Sequence, residues 1–320
     1  MNFPHDDAEF GDLLRIVAGK RGLSPGLVEK DYWVTHTLWA LHDSGFDICF
    51  KGGTSLSKGF SLIERFSEDL DLKIERGRVP DVPTVSNWRS QGTQAVEQRK
   101  AFFDRLTTAI NVPGASTSLD PDLCDASWRS AGLRVTYEGH YLRELGEFFK
   151  PFVLLEVGDA RVAPFVACDL TSAVHDELAA QGQAQHFLDN RPLGVRCVHP
   201  LVTLLEKLDA LHRRVPKTDL EPASFVRHFE DIARIIAAES TLPPLADQSG
   251  VIELAREMLD QRQIAGLPDA GDPAFIVEKN ERWNSILKAH KSIAPIFWGS
   301  RVSLEEACAS IREWIRRSFE

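Results

Sequence analysis

Two acidic residues separated by one position, Asp69 and Asp71, are the side chains in this 320-residue sequence best placed to do chemistry. In a β-strand, residues two apart point to the same face, so the two carboxylates converge while Leu70 and Leu72 face the core. Converging carboxylates repel each other unless a cation lies between them, and Mg²⁺, or Mn²⁺ in its place, is the expected ion. Taken alone, such a pair is more typical of a solvated strand face than of a metal site.

A glycine-rich turn precedes the acidic pair. Gly52-Gly53-Thr54 follows a β-like run that ends at Phe50. Two glycines let the backbone approach a ligand closely, and we expect Thr54 and Ser55 to cap the helix that follows. Free N–H groups at a helix start favour anions, so the turn can bind phosphate. Taken alone, the glycine pair is more typical of a tight turn with a capping threonine. Together with the acidic pair, the turn predicts the core of a nucleotidyltransferase.

A third carboxylate on a neighbouring strand would complete a metal site. Glu156 is the leading candidate because it is the lone charge in the apolar run 152–157. Asp159 and Asp169 compete with it. An edge-strand charge that discourages aggregation is an equally good interpretation of Glu156.

The elements that must position these residues differ between the two parts of the chain. Residues 1–195 contain the β-like runs, and helical spacing dominates in residues 196–320. We therefore predict an α/β domain followed by a helical domain. Ser24 and Pro25 predict the start of a helix in the first domain. The predicted strands are 47–50, 70–74, 133–137 and 152–157, and the predicted helices of the second domain are 199–214, 223–239, 251–265, 272–290 and 303–319.

Composition excludes several classes of protein. With 26% charged residues and no long apolar run, the chain has no expected membrane span, and its acidic start does not resemble a secretory signal. We therefore expect a cytoplasmic protein without a membrane partner. Five scattered cysteines predict neither a disulfide framework nor a cysteine zinc site. The net charge of −10 argues against a non-specific nucleic-acid coat.

The combined pattern resembles the AbiEii/AbiGii toxin family of nucleotidyltransferases, to which the mycobacterial MenT toxins belong. The resemblance lies in Lys-Gly-Gly-Thr-Ser-Leu-Ser-Lys at 51–58, in 65–71, in the lysine helix at 205–213 and in the helix at 227–234. Members are the toxin halves of bacterial toxin–antitoxin and phage abortive-infection systems. The resemblance implies a polymerase-beta-like core followed by a C-terminal helical bundle.

The resemblance also implies a role for each matching residue. The catalytic positions would be Asp69, Asp71, Lys207 and Asp231, so that the helical domain contributes two of them. Asp69 and Asp71, with Glu156 as the candidate third ligand, would bind Mg²⁺. The nucleotide-binding positions would be Lys51, Gly52, Gly53, Thr54, Ser55, Arg65 and Lys207.

Two of these positions have simpler interpretations. Lys207 can extend from a half-buried helix face towards solvent, and Asp231 can form a surface ion pair with Arg227 four positions earlier. The family's usual Arg-Asp at this helix start reads Arg227-His228 here. The resemblance is therefore incomplete at His228.

The implied reaction transfers a nucleoside monophosphate from an NTP to an acceptor hydroxyl, with Asp71 or Glu156 helping to remove the proton. The family suggests RNA as acceptor, particularly the 3′ end of tRNA, and an antitoxin encoded nearby as partner. Transfer to a protein side chain, or a non-catalytic role in partner binding, are the alternatives. Candidate RNA contacts in the second domain are Arg213, Arg214, Lys217, Lys288, Lys291, Arg312, Arg316 and Arg317.

Overall fold

The computed structural model describes residues 1–67, 69–146, 149–245 and 250–320. The chain divides into two compact units. The first unit comprises Met1–Gly59 and Ser67–Cys197, and the second comprises Phe60–Phe66 and Val198–Glu320. The predicted division after residue 195 lies two residues before this boundary, whereas no sequence pattern predicts that 60–66 belongs to the second unit.

The first unit contains a seven-stranded mixed sheet. Its strands are β1 (Asp47–Lys51), β2 (Asp69–Glu75), β3 (Ala115–Asp120), β4 (Ser130–Tyr137), β5 (Val153–Gly158), β6 (Phe165–Cys168) and β7 (Val195–Val198). Their order across the sheet is β3-β4-β5-β2-β1-β7-β6. The central strand β2 runs antiparallel to β1 and parallel to β5. All four predicted strands are present, as β1, β2, β4 and β5.

Three strands were not predicted, and each has a local reason. β3 reads Ala-Ser-Thr-Ser-Leu-Asp, which is mostly small and polar, so it carries little apolar alternation. β6 and β7 are only four residues long. Whether these segments form strands therefore depends on pairing with neighbouring strands, which the local sequence does not encode.

In the described part of the first unit, five α-helices accompany the sheet: α1 (Phe10–Arg21), α2 (Pro25–Asp43), α3 (Gly52–Lys58), α4 (Thr93–Ala109) and α5 (Ala173–Ala180). The predicted start of α2 is confirmed, because the Ser24 hydroxyl accepts a hydrogen bond from the Leu27 N–H at 3.3 Å.

The second unit is helical over much of its length. Its helices are α6 (Pro200–Arg214), α7 (Arg227–Ala237), α8 (Val251–Asp260), α9 (Glu281–Ser292) and α10 (Leu304–Phe319). Each predicted helix is present, but α9 begins nine residues later than expected. Asp272 instead caps a short 3₁₀ turn through the Ala274 N–H at 2.8 Å, and Asn280 caps α9 through the Trp283 N–H at 2.9 Å.

The segment Phe60–Phe66 is held in the second unit by backbone hydrogen bonds. The Phe66 N–H donates to the Ile296 carbonyl at 2.8 Å, and the Trp298 N–H donates to the Glu64 carbonyl at 3.1 Å. Arg65 forms an isolated antiparallel bridge with Phe297 between these bonds. The seven-residue segment is thus fixed beside a turn about 230 positions further along the chain.

Across the described ranges, no helix is both long enough and apolar enough to cross a membrane.

Candidate functional site

The acidic pair lies on one face of β2, as the alternation predicted. Leu70 and Leu72 are buried with exposures of 0% and 1%, while Asp69 and Asp71 are only partly buried on the opposite face. Asp71 is the register partner of Lys51, the last residue of the neighbouring strand β1. The two carboxylates therefore lie beside the point where β1 turns into α3.

Gly52 makes room for the Asp71 carboxylate. Its backbone has φ of +76°, and a Cβ built on it would lie 1.9 Å from Asp71 Oδ2. No side chain fits in that space, and the positive φ itself disfavours any residue other than glycine. The first glycine of the motif thus accommodates a carboxylate of the same protein, a reason that the sequence did not suggest.

The structure contradicts the expected capping by Thr54 and Ser55. α3 begins at Gly52 with Lys51 as its N-cap residue, so both side chains lie inside the helix. The Thr54 hydroxyl donates to the Ser67 carbonyl at 2.9 Å or to the Asp69 carbonyl at 2.7 Å, either of which ties α3 to the start of β2. Both residues are buried, with exposures of 2% for Thr54 and 1% for Ser55. Their side chains are therefore turned into the protein, and any phosphate at this turn would contact backbone N–H groups.

Asp69 carries a buried carboxylate oxygen without a hydrogen bond. Oδ1 accepts none from the described part of the chain, and Lys150 Nζ lies 3.6 Å away. A buried oxygen that has lost water and gained no donor is destabilised, and a cation bound to it would remove that cost. Asp69 Oδ1 is therefore a suitable ligand for a metal ion.

The third predicted ligand, Glu156, is near in register but does not complete a cluster. β5 pairs with β2 so that Glu156 is the register partner of Asp71, and Glu156 is exposed. Within the described ranges, however, no three acidic, histidine or cysteine side chains are grouped closely enough to hold a metal. The role of Glu156 stays a prediction.

The two competing carboxylates have other partners. Asp159 pairs with Lys73 at 3.1 Å, and Asp169 accepts a hydrogen bond from the Gly194 N–H at 2.8 Å. Two carboxylates, Asp69 and Asp71, are still a sufficient protein contribution for Mg²⁺, which usually keeps several waters and binds substrate phosphates directly. The residues present therefore fit such an ion with two protein ligands.

A second group of charged residues lies within the second unit. Arg65 Nε and Nη2 donate to the two carboxylate oxygens of Asp231, each at 2.8 Å. Both residues are 1% exposed. A buried fork of this kind fixes both side chains in one geometry. Asp231 is thus engaged in the protein interior and does not occupy the surface position that pairing with Arg227 would give it.

Lys207 joins the same group from α6. Its Nζ lies 2.9 Å from Asp231 Oδ2 and 3.2 Å from Nδ1 of His228, which belongs to α7. Lys207 is 8% exposed, so it does not extend into solvent as its simpler interpretation required. We call Arg65, Lys207, His228 and Asp231 the arginine–lysine cluster.

Charge is unbalanced in the arginine–lysine cluster. Burial alone raises the pKa of Asp231, but Arg65 and Lys207 outweigh it and hold that pKa far below its ordinary value. Burial lowers the pKa of Lys207, and Asp231 opposes the shift. The pKa of His228 lies well below its ordinary value, chiefly because the ring is buried and next because Lys207 is positively charged. The ring is therefore neutral near pH 7. Two cations therefore share one carboxylate, which favours an anion nearby.

The sequence matches the family described as the nucleotidyl transferase AbiEii toxin of type IV toxin–antitoxin systems over residues 38–307. The chain belongs to the AbiEii family. The resemblance inferred from the motifs is thereby confirmed, and the matched range contains the acidic pair, the glycine turn and the arginine–lysine cluster.

Other comparisons add little to the AbiEii assignment. A search of curated proteins found no match. A solved structure, JHP933 from Helicobacter pylori, is 14% identical to this AbiEii chain, with 92% of this chain and 95% of that one covered and a TM-score of 0.40. At that score the likeness carries no argument about function.

Sequence reasoning missed two features of this AbiEii protein. The motifs predict separate roles for Arg65 and Asp231, although the two residues form one buried pair across 166 positions. In the sequence, His228 is only a departure from the family pattern. The one available signal was the spacing of Arg227 and Asp231 on a helix, which indicates a shared face but not the partner.

Proposed function

We propose that this AbiEii protein is a Mg²⁺-dependent nucleotidyltransferase toxin that transfers a nucleoside monophosphate from an NTP to the 3′-terminal hydroxyl of tRNA. Family membership supports nucleotidyl transfer and a toxin role. The divalent ion, the NTP and the RNA acceptor are the further steps of the proposal. A cognate antitoxin as partner and a cytoplasmic site of action belong to it as well.

One observation carries the proposal. The Asp69 carboxylate has a buried oxygen without a donor, and Asp71 on the same strand face lies against a glycine that leaves it space. A purely structural buried carboxylate oxygen would be expected to find a hydrogen-bond donor. An oxygen such as Asp69 Oδ1, with a second carboxylate on the same strand face, is typical of a cation site.

In the proposed reaction, bound Mg²⁺ would polarise the reacting phosphate and help neutralise its charge. Asp69 and Asp71 would hold the ion. Backbone N–H groups at the start of α3, from Gly53 and Thr54, bind phosphate oxygens, as anions favour such groups. Asp71 or Glu156 accepts the proton that leaves the acceptor hydroxyl.

Lys207 would neutralise charge on the departing pyrophosphate. The surplus positive charge of the arginine–lysine cluster supports this role, because Asp231 is already shared between Arg65 and Lys207. Asp231 then acts as a positioning residue. Both of its oxygens are occupied by cations, so it is poorly suited to exchange protons.

The acceptor is tested by incubating the purified protein with each α-labelled NTP and total tRNA, then treating the products with either ribonuclease or protease. We expect label that ribonuclease removes and protease leaves. Label that only protease removes would show a protein acceptor. Absence of label from all four NTPs with Mg²⁺ and with Mn²⁺ would favour the non-catalytic alternative.

A further inference from the structure

His228 provides the Lys207 ammonium with a hydrogen-bond acceptor in addition to Asp231. Asp231 Oδ1 accepts from Arg65 Nε, and Oδ2 is shared by Arg65 Nη2 and Lys207 Nζ at 2.8 and 2.9 Å. The remaining N–H groups of the Lys207 ammonium need other acceptors. His228 Nδ1, at 3.2 Å, is the acceptor that the structure shows.

The surroundings keep His228 neutral, as an acceptor must be. The charged groups that act on it are Lys207, Arg227, Arg65 and Asp231, three cations against one carboxylate. Protonation would add a further positive charge to this group. A neutral ring that accepts through Nδ1 carries its proton on Nε2, which fixes the tautomer.

We infer that His228 is a positioning residue that holds the Lys207 ammonium through Nδ1, so that Lys207 keeps one position beside the Arg65–Asp231 pair. The contact itself does not depend on the proposed function. That Lys207 then meets an NTP does rest on it. The experiment therefore reads the contact directly and turnover separately.

Three substitutions separate an acceptor from a space-filling ring. His228→Leu removes the acceptor at similar volume, His228→Asn keeps an acceptor oxygen near the position of Nδ1, and His228→Asp adds a negative charge. His212→Gln is the matched control. His212 also lies in a helix of the second unit, α6, but it pairs with Asp272 at 2.6 Å and not with Lys207.

The readout is the pKa of Lys207, measured by NMR of protein labelled with ¹³C at the lysine Cε, with the resonance assigned through Lys207→Arg. A hydrogen bond to the ammonium stabilises its charged form, so its loss lowers the pKa. We expect a decrease of about half a pH unit or more in His228→Leu. We expect little change in His228→Asn or His212→Gln, and an increase in His228→Asp. An unchanged Lys207 pKa in a folded His228→Leu protein would overturn the inference.

A second measurement needs no variant, in case His228→Leu fails to fold. Long-range ¹H–¹⁵N correlation of the wild-type histidines reports the tautomer of His228 between pH 6 and 8. An unprotonated Nδ1 with a proton on Nε2 supports the inference. A protonated Nδ1 in that range contradicts it.

Turnover distinguishes this inference from the proposed function. If both hold, His228→Leu raises the KM for NTP several-fold and His228→Asn restores it towards the wild-type value. If wild-type protein transfers no nucleotide, the proposed function fails while the Lys207 titration still decides the role of His228.

Discussion

The position of the Asp71 carboxylate depends on the absence of a side chain at Gly52. The Asp71 carboxylate occupies the space that any side chain at position 52 would need. The motif therefore couples backbone conformation at the turn to the orientation of a proposed metal ligand. Sequence analysis identified both residues, but it attributed the glycine to ligand approach because only three-dimensional pairing of β1 with β2 brings Asp71 to the turn.

Gly52→Ala is expected to remove nucleotide transfer and to destabilise the fold. The matched control is Gly182→Ala, where φ is +67° and, among the described residues beyond its chain neighbours, no atom lies within 4 Å of the added Cβ. That control introduces only backbone strain, about 1–2 kcal/mol. We expect Gly52→Ala to lower the free energy of unfolding further, as measured by urea denaturation. Equal stability losses and retained transfer would contradict the clash.

The buried Arg65–Asp231 pair makes the free energy of unfolding depend on pH through the Asp231 carboxylate. Asp231→Asn leaves two cations with a neutral partner, which should cost about 3–5 kcal/mol at pH 7. Because the pKa of Asp231 is depressed in the folded protein, its contribution is complete above the unfolded pKa of about 4 and is lost as pH falls below it.

The measurement compares the free energy of unfolding of wild type and Asp231→Asn from pH 7 to pH 3. The difference should be constant down to about pH 5 and should shrink below pH 4. Asp122→Asn is the control, since the Asp122 side chain is 85% exposed. A difference that persists unchanged at pH 3 would show that the charge of Asp231 is not its cause.

Among the elements, α3 is held by a hydrogen bond from the Thr54 side chain to the start of β2, and no described side chain caps its first turn. The Thr54 hydroxyl reaches two backbone carbonyls at the entrance to β2. Sequence analysis predicted the strand, turn and helix in the correct order. It misplaced the helix cap by at least three residues, because the N-cap residue is Lys51. Threonine after glycine is a common cap signal that tertiary contacts override here.

Thr54→Val is expected to lower the free energy of unfolding by about 1–3 kcal/mol, because it removes the buried hydroxyl that serves these carbonyls. Thr54→Ser keeps the hydroxyl and serves as the matched variant, with a clearly smaller loss. Chemical denaturation of the three proteins measures the difference. If Thr54→Val instead keeps full stability and only raises the KM for NTP, the hydroxyl contacts nucleotide and the structural role is wrong.

At the scale of the whole molecule, the chain passes between the two units more than once, whereas the sequence predicts a single division. The stretch between the glycine turn and the acidic pair passes through the second unit, where Phe60–Phe66 pairs with the 294–298 region. The change in texture near residue 196 predicts a division that lies two residues before the start of the second unit's main segment. The excursion was not predictable, because it depends on backbone pairing over long separations.

The net charge of −10 also has a more specific meaning than it had in the sequence. Some carboxylates face a proposed cation, and some candidate RNA contacts are already paired, such as Arg213 with Asp209 and Arg317 with Glu239. A smaller set of basic residues is then available for RNA. Any RNA binding should be local and should weaken as salt rises.

The most direct test of the account is nucleotide transfer by Asp69→Ala compared with Asp122→Ala. Both remove one carboxylate from the first unit, but only Asp69 belongs to the proposed cation site. With α-labelled NTP, Mg²⁺ and total tRNA, we expect wild type and Asp122→Ala to label RNA equally and folded Asp69→Ala to lose transfer by at least about a hundredfold. Undiminished labelling by Asp69→Ala would contradict the central claim.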